Sequence, residues 1–337
     1  MKKIVLILTI AFLFSCNSAN KNPNSLYLWK TELELNNSDY EFFRENNVQN
    51  LYIRLFDVTW EEGQERPQSI LQFSGEIPAE FNVIPVVYIK NEVIKNVKDD
   101  ELDAFAVKLN SKISEIYKKR FSYHQITEIQ IDCDWSETTR DKYFKFLEFF
   151  QQKIDKNIDV SVTIRLHQIK YQQSTGIPPV DKGVLMYYNM GELKNPDEKN
   201  SILNNEIGEQ YIYENSSYPL QLSLALPIYS WGVWYNWQGF NDVIYQANVN
   251  TKNSLYYLQN ISENLYKVVK DTVIEENYLR EGDLIRVEII DIEQLEKAKE
   301  ICSPLFKNNF ELILYSYNFE NTNLLNSHDL EKIYIRR

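Results

Sequence analysis

From residue 26 onward, short runs rich in β-branched and aromatic residues alternate with stretches of helical period. The β-like runs fall at 26–31, 51–57, 83–89, 126–134, 160–166, 183–189, 220–229 and 310–317. A helix opened by Ser38 or Asp39 follows the first run. Over 99–119 apolar residues recur at 102, 105, 106, 109, 113 and 116, one face of a 3.6-residue helix behind an acidic first turn. A further helix is expected over 138–154, with Tyr143, Phe144, Leu147, Phe149 and Phe150 supplying its bulk. Strands separated by crossovers long enough for helices make a parallel sheet, and eight of them close into an α/β fold of the (β/α)8 TIM barrel type.

The spacing is uneven between the seventh and eighth runs. That stretch holds a β-ribbon (266–273 with 284–290, turning at Glu281-Gly282-Asp283) and a helix over 292–302. It reads as an insertion at about 264–290 on a single barrel domain spanning 26–337. Arg286 and Glu288 share one face of the ribbon and are expected to pair. An open doubly wound sheet is the alternative, but no glycine-rich phosphate loop follows the first run, so no nucleotide cofactor is expected.

Composition narrows the function. The 337 residues are 44% hydrophobic and 25% charged with only 9 Gly and 10 Pro, which excludes collagen-like and disordered chains. A net charge of −12 argues against a nucleic-acid partner, because phosphate binding needs the opposite field. Aromatics reach 14%, with 23 Tyr, 17 Phe and 6 Trp, rings that either fill a core or present flat faces to a ligand. The three histidines, His124, His167 and His328, are far apart and have no cysteine at ligand spacing, so no metal centre is expected.

At the N-terminus Lys2 and Lys3 precede an apolar run over 4–14 that is too short to span a bilayer. The run ends in Leu13-Phe14-Ser15-Cys16, which resembles a bacterial lipobox. On that reading 1–15 is a lipoprotein signal peptide, Cys16 is lipidated, and 16–25 is a tether holding the domain at the cell envelope, on the outer membrane. An ordinary cleaved signal peptide is the alternative. Cys133 and Cys302 are expected to be buried free thiols rather than a bridge.

In a barrel, chemistry belongs at the C-terminal ends of the strands. Trp29, Lys30, Arg54, Asp57, Tyr88, Lys90, Asp132, Asp134, Arg165, His167, Tyr188, Asn189, Tyr229, Trp231, Tyr315 and Tyr317 fall there. Rings that stack on a pyranose and charges that take up its hydroxyls suit a glycan or polysaccharide. In Gln130-Ile131-Asp132-Cys133-Asp134-Trp135-Ser136 alternation puts 130, 132, 134 and 136 on one face. Two inward aspartates would repel and raise one pKa; the bland alternative is a strand-end pair capping the next helix. The segment holding Tyr229, Trp231, Trp234, Tyr235, Trp237 and Phe240 reads either as a ring-bearing loop over the mouth or as a packing stripe.

These segments resemble glycoside hydrolase family 18, the chitinase-like barrels. That family carries DxxDxDxE on strand four, MxYD on strand six and a Pro-x-Tyr-Gly segment on strand seven. Here stand Asp132-Cys133-Asp134-Trp135-Ser136, Met186-Tyr187-Tyr188-Asn189-Met190-Gly191 and Leu224-Ala225-Leu226-Pro227-Ile228-Tyr229-Ser230-Trp231, in that order. The resemblance covers about 26–320, and also extends to a group of secreted bacterial lipoproteins built on such a barrel. It implies that Asp134 orients, and Tyr188 hydrogen-bonds, the substrate's acetamido group, which attacks in a substrate-assisted mechanism. Three departures matter: Ile129 replaces the first Asp, Asn189 replaces the strand-six Asp, and Ser136 stands where the family's proton-donating Glu belongs. A serine hydroxyl is far too weak an acid to replace it. A membrane-anchored glycan-binding barrel without efficient hydrolysis is therefore expected. The alternatives are a hydrolase with a displaced acid, Asp57 or Glu137, and a structural lipoprotein subunit of an envelope complex.

Overall fold

The computed structural model describes residues 23–245, 256–306, 310–318 and 327–334. The expected signal peptide 1–15, Cys16 and most of the tether lie outside them. Eight parallel strands form the closed barrel: β1 (Asn24–Leu28), β2 (Val48–Glu61), β4 (Asn82–Ile89), β5 (Glu128–Asp132), β6 (Asp159–Arg165), β7 (Lys182–Met186), β8 (Gln221–Pro227) and β16 (Leu312–Tyr315). Pairing of β1 with both β2 and β16 closes the ring. The barrel is laid out in sequence order, as the alternating runs implied.

Crossovers carry α1 (Asn37–Glu45), α2 (Asn91–Asn96), α3 (Leu102–Arg120), α4 (Arg140–Gln151), α5 (Leu166–Lys170), α6 (Gln172–Thr175) and α7 (Asn205–Gly208). The spacing read over 99–119 is borne out in α3, where Leu102, Phe105, Ala106, Leu109, Ile113 and Ile116 are all buried. Asn36 caps α1 with Asp39 reaching back to it, a capping box that fixes where the helix starts. After the insertion come α8 (Ile292–Cys302), on the expected bounds, and a last described helix, α9 (Ser327–Tyr334).

Two parts differ from the sequence reading. Strand β2 runs past the barrel and folds back as an antiparallel hairpin with β3 (Gln64–Gln68), which no apolar run announced. The insertion is also larger than a ribbon. An antiparallel five-stranded sheet joins β9 (Trp231–Asn236), β10 (Gly239–Ile244), β11 (Leu258–Asn260), β12 (Leu265–Val268) and β15 (Leu284–Glu288) in the order β10-β9-β15-β12-β11. A small hairpin, β13 (Thr272–Ile274) with β14 (Asn277–Leu279), stands beside it. The expected ribbon is the β12–β15 pair, and Arg286 does pair with Glu288 at 2.6 Å, both fully buried.

The barrel interior is layered. Strand faces turned outward (Leu26, Leu28, Leu51, Ile53, Val83) join the helices in the main core, while Tyr27, Tyr52, Ile84, Val86, Val184, Ala225 and Ile313 fill the centre. The N-terminal end is polar. Lys182 Nζ lies 2.5 Å from Glu128 and 3.3 Å from Glu311. Ser25, Asn50, Tyr52 and Ser223 donate to Glu311, and Ser161 donates to Glu128. Burial pushes the Glu128 carboxyl up. In Glu311 burial is outweighed by Lys182 and the surrounding donors, which hold it down. Cys133 and Cys302 are buried free thiols, as expected.

Candidate functional site

At the C-terminal end of the barrel, Asp57, Tyr88 and Asp132 lie abreast on β2, β4 and β5. Asp57 reaches that position through an irregularity. Residues 54 and 57 of a regular strand face opposite ways, but the β2 register shifts between Arg54 and Phe56. The bulge turns Asp57 to the same face as Arg54. Arg54 then grips both carboxylate oxygens, with Nε 2.7 Å from Oδ1. The guanidinium also lies over the Trp29 ring, 5.6 Å from its centroid.

A second pair faces this one. Strand β5 ends at Asp132, and Asp134, just beyond it, is held by Arg165 at the end of β6, with Nε 2.6 Å from Oδ1 and an η nitrogen 3.2 Å from Oδ2. Asp132 remains inside the barrel, as alternation required, and accepts from Thr163 Oγ1 at 2.6 Å. Its pKa rises from 3.8 to about 6. Burial is the main cause, Asp134 and Asp57 add to it, and Arg165 and Thr163 oppose it. The expected like-charge effect is therefore present, but it ranks below desolvation because Arg165 neutralises Asp134. Tyr88 is half-buried, and burial followed by Asp134 and Asp132 pushes its phenol to about 12. It can only donate.

The two displaced-acid candidates sit differently. Asp57 has both oxygens engaged by Arg54, so donating a proton would first require dissolving that pair. Glu137 lies exposed in the turn entering α4, and its charge is felt by Arg140 on the first turn of that helix. Ser136 is occupied there too: its backbone N–H donates to Thr139 Oγ1 at 3.0 Å, and its hydroxyl lies 3.0 Å from Thr138 Oγ1.

An aromatic wall faces the carboxylates. Tyr315 stacks on Tyr188 with centroids 4.6 Å apart and planes 10° apart. Trp29 and Tyr229 close on Tyr315 at 5.7 and 5.8 Å. Asn189 adopts the left-handed conformation (φ 55°), which Asn tolerates, and its side chain accepts from the Tyr229 hydroxyl. Of the expected rim residues, Lys30, Lys90 and His167 are exposed around the mouth strands. Tyr317 is not at the rim; it is buried and donates to Asp39 on α1 at 2.7 Å.

The segment after β8 is a correction. It is not a loop over the mouth but the β9–β10 hairpin of the inserted sheet. Trp231, 7% exposed, donates its indole N–H to Glu288 at 2.7 Å, and Trp234 donates to Asp283 at 2.9 Å. Trp237, at 83% exposure, is on the hairpin turn. The open ring beside the wall is Tyr245, 62% exposed and edge-on to Trp231 at 6.0 Å. Sequence reasoning missed it, since a lone Tyr after a polar strand carries no signal. Thr163 was missed as well, although its inward parity on β6 could have placed it opposite Asp132.

Among the described residues no cluster of His, Cys, Asp and Glu could hold a metal ion. The mouth offers one carboxyl with its pKa raised to about 6, two Arg–Asp pairs and a protonated phenol beside stacked rings.

No protein-family model matches the chain, and no curated protein matches its sequence. Solved structures do match. The spore cortex-lytic enzyme SleL of Bacillus megaterium is 13% identical, with a TM-score of 0.53 over 93% of this chain and 75% of that one. A chitinase from Chromobacterium violaceum is 9% identical at TM-score 0.50, over 93% of this chain and all of that one (100%). The C-terminal domain of a Desulfitobacterium hafniense protein reaches 0.54 at 12% identity, covering 93% and 100%. At such identities the likeness shows the fold alone, a (β/α)8 barrel like those of these chains.

Proposed function

We propose that the chain is a glycan-binding protein on a chitinase-like barrel, with the family-type hydrolysis lost, held at the cell envelope by a lipid on Cys16. One observation carries the loss of cleavage: Asp134, which the resemblance makes the acetamido-orienting residue, is clamped by Arg165 while Ser136 replaces the acid beside it. Loss of a positioned general acid alone removes about 10²–10⁴ in rate. The stacked rings and half-buried Tyr88 and Trp29 retain what sugar binding needs, apolar faces next to hydroxyl partners. The similar solved structures are a chitinase and a spore cortex-lytic enzyme, which supports a glycan as the ligand.

The test is calorimetric titration with N-acetylglucosamine oligomers and peptidoglycan fragments, comparing the native chain with Trp29→Ala. Binding that weakens about tenfold or more in the variant is expected, a loss typical of one sugar-contacting ring. No heat from any oligomer would remove the proposal. Membrane fractionation of Cys16→Ala tests the anchor: the variant should leave the membrane fraction.

A second reading has its own observation. Asp132, titrating near 6, has the pKa of a general acid, and a slow hydrolase could use it. Release of reducing ends that disappears in Asp132→Asn would favour this reading over binding alone.

A further inference from the structure

A second cluster lies outside the mouth, where Lys170 ends α5. Its ammonium is within 5.4 Å of the Tyr211 centroid, 5.5 Å of Tyr171 and 5.7 Å of Tyr213. It donates to the Gln210 carbonyl at 2.8 Å and has no carboxylate partner among the described residues. Tyr171 and Tyr213 are each 51% exposed. The segment 170–174 lines an open surface depression of about 500 Å³, and the exposed Gln173 amide there makes no hydrogen bond among the described residues. Geometry puts the cluster near the mouth: α5 begins where β6 ends, so Lys170 is about 7 Å along the helix axis from Arg165.

We propose that this cluster is a separate binding site for a sugar bearing a carboxylate, a uronic acid or a lactyl-substituted amino sugar. Each component has a matching part of the ligand. The open tyrosine faces stack on the apolar side of a pyranose. The ammonium, which has no carboxylate partner among the described residues, pairs with the ligand's carboxylate. The free amide takes a ring hydroxyl. In a chain of net charge −12 an acidic glycan is repelled overall, so a local cation is what such a ligand requires.

The site goes beyond the mouth reading and is tested apart from it. The full chain in detergent is titrated with a galacturonic acid trimer, with an N-acetylglucosamine–N-acetylmuramic acid tetrasaccharide and with a neutral N-acetylglucosamine trimer. At least one acidic oligomer should bind, more weakly as salt rises. That affinity should fall about tenfold or more in Lys170→Met and in Tyr171→Ala/Tyr213→Ala, all of which alter exposed side chains and leave the fold intact. Binding of the neutral trimer should not change in these variants, whereas Trp29→Ala should weaken the neutral trimer and leave the galacturonic acid trimer unchanged. If the galacturonic acid trimer binds and loses affinity with Lys170 while the neutral trimer gives no heat and the tetrasaccharide is indifferent to Trp29→Ala, the mouth proposal falls and this one stands. Native-like affinity for the acidic oligomers in both variants, or no heat from either acidic oligomer, overturns the site; the latter is also the result if the cluster serves a protein partner.

Discussion

Asp132 carries the most consequence of any single residue. Its carboxyl titrates at about 6 in the folded chain against an ordinary 3.8. Because the folded value is raised, the stabilising preference for the protonated form is fully present below about pH 4 and disappears as pH climbs through 6. That gap corresponds to about 3 kcal/mol. Asn retains an oxygen for Thr163 and cannot ionise. Asp132→Asn should therefore match the native chain at pH 4 and exceed its stability by up to about 3 kcal/mol at pH 8, measured by urea unfolding. A constant difference across pH would refute the shift. Ser136→Glu gives a complementary result. Restoring the acid alone should yield no reducing ends, because Arg165 still holds Asp134; Ser136→Glu with Arg165→Ala should yield some.

At the scale of elements, the parts legible in the sequence were those with a strong period. All eight barrel strands carry apolar or β-branched runs, and α3 has an uninterrupted helical stripe, so both were placed within a few residues. The inward face of β5 followed from alternation alone, which put Asp132 inside. Strand β3 was invisible because Gln-Glu-Arg-Pro-Gln is polar throughout and pairs only as a continuation of β2. The tryptophans at 231, 234 and 237 fit a helical stripe as well as a strand, and only pairing with β15 decides that 231, 233 and 235 are buried. The two Arg–Asp pairs were beyond reach for a different reason: one depends on a bulge within β2, the other on which residue of β6 lies beside the end of β5. Among elements, β15 is the most exacting. Glu288→Gln would leave the Arg286 charge buried without its counter-ion, and we expect a loss of about 3–5 kcal/mol in thermal or urea unfolding.

The whole molecule rests on a charged floor. One ammonium, Lys182, serves two carboxylates deep at the closed end of the barrel. Lys182→Met should cost about 3–5 kcal/mol at pH 7, where Glu128 and Glu311 would then be buried carboxylates with no cation. The deficit should shrink toward pH 4 as they take up protons, which unfolding curves at both pH values would show. A deficit independent of pH would mean that the loss is one of packing only.

Glu288 reaches beyond its own sheet. It accepts from the Ser201 backbone N–H and hydroxyl as well as from Trp231 and Arg286, and so ties the inserted sheet to the segment that follows β7. Opening the gap between insertion and barrel would strip a fully buried carboxylate of several donors at once. The inserted sheet is therefore held against the barrel by a buried ionic and hydrogen-bonded tie. If the mouth binds a sugar as proposed, association is expected in a single kinetic phase, which stopped-flow fluorescence of the native chain would check; a second, concentration-independent phase would refute a preformed cleft.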